Sequence, residues 1–245
     1  MNFVEYGKEN KEVIILLHGG GLSWWSYREV AQLLETKYHV ILPILDGHAN
    51  ADKDFTTIRD NAIEIVEYIE NNFGGSVKMI GGLSLGAQIL LEILSLKKDI
   101  CQYAIIESAL VLPSKLTYCL IKPAFGSSYG LIKKEWFSKL QFKSLKIKND
   151  LFEEYYRDTC LILKENMVAF LEENSVYTLK DSILDVCAKV FIYVGEKENH
   201  AMKKSAKLIH SKIPNSELYI LPNLAHGEFS INHANEYVHE INKML

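Results

Sequence analysis

An α/β domain with a mostly parallel sheet is what this sequence predicts, and three observations predict it. Short apolar runs rich in Val, Ile and Leu recur along the 245 residues. Most are separated by segments with helical periodicity, and the alternation lapses once, between about residues 110 and 188. Strand, helix, strand in succession implies parallel strands joined by right-handed crossovers. The lapse reads as a helical insertion between two strands. The expected division is a core over residues 1–109 and 189–245, interrupted by a helical insertion over 110–188, which the chain length accommodates.

Each element has its own signal. The runs VIILL (13–17), YHVIL (38–42), VKMI (77–80), YAII (103–106), VFIYV (around Phe191) and ELYIL (217–221) are strand candidates. Several are apolar on successive residues, as strands covered on both faces are. Residues 2–6 could add an antiparallel edge strand. Between 56 and 72, Ile58, Ala62, Ile65, Val66 and Ile69 share one helical face; 85–96 and 200–213 read similarly, and a last helix is expected over about 231–244. Within the insertion, LFEEYYRDTCLILKENMVAFLEE sets Phe152, Tyr155, Tyr156, Cys160, Leu163, Met167, Phe170 and Leu171 at three- and four-residue spacings, a helical pattern. Pro113, Pro123, Gly126 and Gly130 punctuate the entrance to the insertion.

Composition narrows the function classes. Hydrophobic residues make up 48% of the chain, enough for a substantial core. The formal net charge of −4 gives no global electrostatic case for nucleic acid. No apolar run reaches membrane-spanning length and the opening residues lack a signal-peptide core, so a cytoplasmic protein without membrane contact is expected. Cys101, Cys119, Cys160 and Cys187 are scattered with no CxxC pair, as four reduced thiols would be. Neither a metal nor an organic cofactor is expected, and nothing signals an oligomeric state.

The stretch KMIGGLSLGAQI (78–89) carries the chemistry. A GxSxG pattern alone is weak, but here a buried strand candidate ends just before the glycines and a helix candidate begins just after. In that context a serine sits on a sharp turn at the C-terminal end of a parallel strand, its hydroxyl aimed at the crevice. Gly82 and Gly86 leave the turn uncrowded. The alternative is a helix-capping serine; the context favours Ser84 as nucleophile. A serine needs a base to take its proton, and His226, in LPNLAHG after the last strand, falls at the same sheet edge. His200, His210, His233 and His239 fall on helix candidates. His18 precedes a glycine run, LLHGGGLS (16–23), and is expected to brace that loop. Successive glycines allow close backbone approach with N–H groups turned inward, so the Gly20 and Leu85 N–H groups are candidates for an oxyanion hole. The loop lacks GxGxxG, and no GKS or GKT follows it, which disfavours a phosphate cradle.

Together, HGGG after one strand, GLSLG after a later one and AHGEF after the last resemble the α/β-hydrolase superfamily, in its small single-domain esterase-like branch. DGHANADKDFTT (46–57) resembles that family's Gly-His loop, with Ala49 in place of the usual second glycine. The resemblance implies an α/β-hydrolase fold with an eight-stranded, mostly parallel sheet, a variable helical cap, and a triad in the chain order serine, acid, histidine. It places the acid at Glu198, in GEKEN after VFIYV, with glutamate for the usual aspartate. Glu196 and Glu107 remain alternatives, Glu107 because some relatives carry their acid after that earlier strand.

The reading is a serine hydrolase, carboxylesterase- or lipase-like, cleaving carboxylic esters of small to medium size through Ser84, His226 and Glu198. The same triad also serves thioester hydrolysis, acyl transfer and C–C bond hydrolysis, and a ligand-binding protein with a vestigial triad is a further alternative. Trp24, Trp25, Trp136, Phe137 and Phe142 are the candidate substrate-binding residues. Lys133, Lys134, Lys139, Lys143, Lys146 and Lys148 alternate with Trp136, Phe137, Leu140, Phe142, Leu145 and Ile147. That pattern reads as a solvated basic face over a core-facing stripe, with an anionic substrate tail or a membrane surface as sharper alternatives.

Overall fold

The computed structural model describes residues 1–245, the side chain of Ser127 excepted. Seven strands form one sheet: β1 (Asn2–Tyr6), β2 (Val13–Leu17), β3 (His39–Ile44), β4 (Val77–Leu83), β5 (Cys101–Glu107), β6 (Lys189–Gly195) and β7 (Ser216–Leu221), in the spatial order β1-β3-β2-β4-β5-β6-β7. Only β1 runs antiparallel, against β3; the rest are parallel. The sheet therefore has one strand fewer than the resemblance implies.

Ten α-helices accompany it. Before the insertion come α1 (Arg28–Leu34), α2 (Ile58–Phe73) and α3 (Leu85–Leu96). Between β5 and β6 lie α4 (Lys115–Ile132), α5 (Glu135–Leu145), α6 (Phe152–Leu161) and α7 (Lys164–Val176). The chain ends with α8 (His200–Lys212), α9 (Glu228–Asn232) and α10 (Ala234–Met244). The short α1 has no counterpart among the helices expected from sequence, and the expected last helix is broken in two at His233. Pro123, Gly126 and Gly130 lie inside α4 rather than marking a loop. The long pattern through 151–173 is divided at Ile162 and Leu163, whose extended backbone lets the Ile162 side chain bury almost completely.

Every residue of β2 is buried, and alternate side chains serve opposite faces. Val13, Ile15 and Leu17 pack with α2 and α3, whereas Ile14 and Leu16 pack with α1 and α10. Each such buried side chain contributes about 1.5–3 kcal/mol, which is why successive apolar residues, rather than alternating ones, mark these strands. The parallel strands finish in step, with Leu17 opposite Gly82, Leu83 opposite Glu107 and Gly195 opposite Leu221. The loops after β2, β4, β6 and β7 consequently emerge at one edge, where ligands of open parallel sheets bind.

Candidate active site

Ser84 links β4 to α3 with φ 54° and ψ −110°, a left-handed conformation that costs a non-glycine residue about 1–3 kcal/mol. The turn closes so tightly that a side chain at Gly82 would sit 2.5 Å from the Gly86 carbonyl oxygen, and one at Gly86 would sit 2.6 Å from that of His18. Both glycines are sterically required. The Ser84 N–H donates to the Glu107 carbonyl at 2.9 Å. Its hydroxyl makes no helix-capping bond, leaving it free to face the cavity it lines.

His226 follows β7 on the loop before α9 and lines the same cavity. Its Nδ1 lies 2.8 Å from Glu198 Oε2. The other carboxylate oxygen accepts the Ser108 hydroxyl at 2.7 Å and the Gly195 N–H at 2.8 Å. Burial pushes the Glu198 pKa up, but the bonds from His226, Gly195 and Ser108 prevail and hold it below the usual value. An ionised Glu198 fixes the Nδ1–H tautomer and leaves Nε2 as the basic nitrogen. Glu196 instead accepts the Asn223 N–H at 3.0 Å, bracing the loop that carries His226. Glu107 is buried behind the site; Oε1 accepts the Ser230 N–H at 3.3 Å and Oε2 has no partner. Burial pushes its pKa up to about 7, so it is largely a neutral acid at moderately acidic pH.

The glycine loop is held by two buried histidines. His18 Nδ1 donates to the Gly19 carbonyl at 2.9 Å while Nε2 accepts the Leu45 N–H at 3.2 Å. His48 Nε2 accepts the Gly21 N–H at 3.1 Å, and its Nδ1 donates to the Asp46 carbonyl. Accepting at one nitrogen and donating at the other requires neutral rings. Burial lowers the His18 pKa to about 3 and that of His48 to about 4. Gly20, between these anchors, lines the cavity. Leu85 opens α3, where an N–H has no intrahelical acceptor.

The cavity holds ≈ 190 Å³ and is lined by Gly19, Gly20, Leu22, Leu83, Ser84, Ser144, Leu145, Ile147, Ala225, His226, Gly227 and Ile231. None of Trp24, Trp25, Trp136, Phe137 and Phe142 is among them. Trp25 is buried beneath the cap with its indole N–H on Asp158 at 2.9 Å. Trp24 packs partly buried against that core cluster, and Phe142 packs against Phe152 and Tyr155. Trp136 faces solvent edge-on to Phe137. Trp25 and Phe142 thus pack within the core rather than in the cavity, and the insertion's share of the cavity lining is Ser144, Leu145 and Ile147, in one short segment. Asn232 holds that segment from the core, donating to the Lys146 carbonyl at 2.7 Å and accepting the Lys148 N–H at 3.0 Å.

Ser108 and Asn232 are the positions sequence reasoning missed. Small polar side chains carry no periodicity, and only a strand-end location for Ser108 could have hinted at it. The four cysteines are unpaired, and among the described residues no three His, Cys, Asp or Glu side chains are grouped to hold a metal ion. No helix among them is long and apolar enough to cross a membrane.

Ser84 on its strand-to-helix turn and His226, paired with Glu198, line one cavity at the C-terminal edge of a parallel sheet. The profile of the alpha/beta hydrolase family matches residues 14–240, and the chain belongs to that family. No curated protein matches it significantly. Among solved structures, an esterase from Exiguobacterium antarcticum is similar with a TM-score of 0.81 at 16% identity, covering 99% of this chain and 94% of that one. An enol-lactonase from Burkholderia xenovorans gives 0.81 at 13%, covering 99% and 95%. A thermophilic esterase from Thermogutta terrifontis gives 0.77 at 17%, covering 99% and 92%. At these identities the likeness speaks for the fold.

Proposed function

We propose that the protein is a serine esterase acting on uncharged carboxylic esters with a short acyl group. Ser84 Oγ attacks the ester carbonyl while His226 Nε2 takes its proton. Glu198 keeps the ring in the productive tautomer and stabilises the imidazolium. The Gly20 and Leu85 N–H groups stabilise the oxyanion, in which they gain more than in the ground state. Collapse expels the alcohol, which takes the proton from His226, and leaves an acyl group on Ser84. Water, deprotonated by the same histidine, then releases the acid and restores the serine.

The observation that carries this reading is the 2.8 Å His226–Glu198 bond on the wall of the cavity that also holds the strained Ser84. Cavity size and lining narrow the substrate. At ≈ 190 Å³ the cavity is smaller than the ~300–1,000 Å³ of drug-sized ligand pockets, which favours a short acyl group. No lysine, arginine or carboxylate lines it, which disfavours an anionic tail inside the pocket. The test is labelling with a fluorophosphonate together with turnover of an ester series. Rapid labelling at Ser84 with hydrolysis of short esters supports the proposal, whereas a folded protein that resists the probe rejects it in favour of a binding function.

A further inference from the structure

The exposed side chains of α4 and α5 depart from the rest of the molecule in both charge and polarity. The chain is net −4, yet residues 115–148 hold eight lysines, no arginine and a single acidic residue, Glu135. Lys122, Lys139 and Lys148 sit in ion pairs with Glu172, Glu135 and Glu29. For Lys115, Lys133, Lys134, Lys143 and Lys146 no carboxylate partner is seen among the described residues. The same stretch carries seven of the thirteen large apolar side chains exposed among the described residues. Leu116 and Leu120, one turn apart on α4, are 72% and 55% exposed; Trp136 and Leu140, one turn apart on α5, are 64% and 61% exposed. A solvated basic helix over a core-facing stripe would have turned these residues inward, as Phe142 and Ile147 are turned.

We propose that this surface docks the protein on an anionic lipid surface. Exposed leucine and tryptophan flanked by lysines suit the boundary between headgroups and acyl chains, where apolar side chains sink in and lysine stems keep the ammonium at the phosphates. A second copy of the chain is a poor occupant, since pairing the surface with itself would set lysine against lysine. A nucleic acid would satisfy the lysines but leave the leucines and Trp136 unburied. The surface also reaches the catalytic cavity: Leu145 at the end of α5 is part exposed and part of its lining. Docking through α5 therefore brings the cavity close to the lipid, while the acidic remainder of the molecule is repelled from it.

The test uses the full chain and co-sedimentation with phosphatidylcholine vesicles, with and without phosphatidylglycerol. Binding is expected to the anionic vesicles only and to weaken as salt is raised. Tryptophan emission should shift to the blue on binding, and the shift should vanish in Trp136→Phe. Each lysine at an anionic surface is worth about fivefold in partitioning, so Lys133→Glu with Lys134→Glu should weaken binding more than tenfold. Leu116→Ser with Leu120→Ser should weaken it severalfold, circular dichroism verifying the fold of each variant. Ser84→Ala should bind as the wild type does, which separates docking from hydrolysis. Equal binding to neutral vesicles, no binding to anionic ones, unchanged binding by either double variant, or capture of a DNA duplex in preference to vesicles would each overturn the proposal.

Discussion

At the sheet edge, the residues around Ser84 are fixed by backbone geometry. Glycines at 82 and 86 leave no room for a side chain, the serine itself is held at φ 54°, and its N–H is tied to the Glu107 carbonyl. Across the cavity, the insertion supplies Ser144 and Leu145 from the end of α5 and Ile147 from the turn after it, which the Asn232 side chain holds. The first region is defined by steric and hydrogen-bonding demands on its backbone. The second asks only for apolar bulk at roughly the right place. On the proposed reading chemistry belongs to the first region and selectivity to the second, and substitutions in the two should differ in kind.

The largest effect belongs to the sheet edge. Ser84→Ala should abolish ester hydrolysis, by about a million-fold in the precedent of serine proteases, with an unchanged circular dichroism spectrum. More than a few per cent of residual activity in purified protein would break the assignment. Next comes the acid. Glu198→Gln should cost about ten-thousand-fold through loss of the correct imidazole tautomer, while Glu196→Gln and Glu107→Gln stay within severalfold of wild type at saturating substrate. A severe loss confined to Glu107→Gln would move the acid to β5.

How much was legible follows from the same contrast. The placement of Ser84, His226 and the glycine loop at one sheet edge was legible because turns after parallel strands require particular residues at particular spacings. Glu198 is legible only through the family resemblance, which also leaves Glu107 and Glu196 open; in the structure its carboxylate meets His226. The aromatic residues singled out for the pocket misled. Trp25 and Phe142 are large and apolar because they seat the cap on the core, a demand that sequence cannot separate from ligand contact. The pocket wall at Leu145 and Ile147 depends on how α5 ends, with Lys146 in the left-handed conformation. The division of 151–173 into two helices was hidden for a related reason: a continuous apolar stripe is equally consistent with two helices packed on one core.

Ser108→Ala sharpens the comparison from within the sheet edge. Its hydroxyl is one of three donors on Glu198; net, a hydrogen bond to a charged group is worth about 1.5–3 kcal/mol. Its loss should lower kcat roughly tenfold or more. It should also move the acidic limb of the rate profile upward, because a less satisfied carboxylate attracts the imidazole proton more strongly. An unshifted limb would make Ser108 merely structural. The cap counterpart is Leu145→Ala with Ile147→Ala. At about 0.8 kcal/mol per buried methylene, preference should shift severalfold toward longer acyl esters, with labelling of Ser84 by a small phosphonate retained. Trp136→Ala should leave the preference alone; the reverse pattern would return the pocket to the aromatic residues.

The smallest effect tests what the core beneath the serine tolerates. Glu107 is held there with its pKa pushed up to about 7 from an ordinary value of 4.5. Between those values the folded protein keeps a proton that the unfolded chain has released. Stability therefore falls as pH rises through that window, and the penalty is complete once pH exceeds the folded value. Glutamine has nearly the same shape, keeps an acceptor for the Ser230 N–H and never ionises. Glu107→Gln should therefore gain on the wild type as pH rises. Thermal melts at pH 5 and pH 8 measure this, the shift in Tm between variant and wild type being more positive by a few degrees at pH 8. Identical shifts at the two pH values would mean that Glu107 titrates normally, its unpartnered Oε2 notwithstanding. Because its backbone carbonyl, not its side chain, holds Ser84, turnover by this variant should stay near that of the wild type throughout.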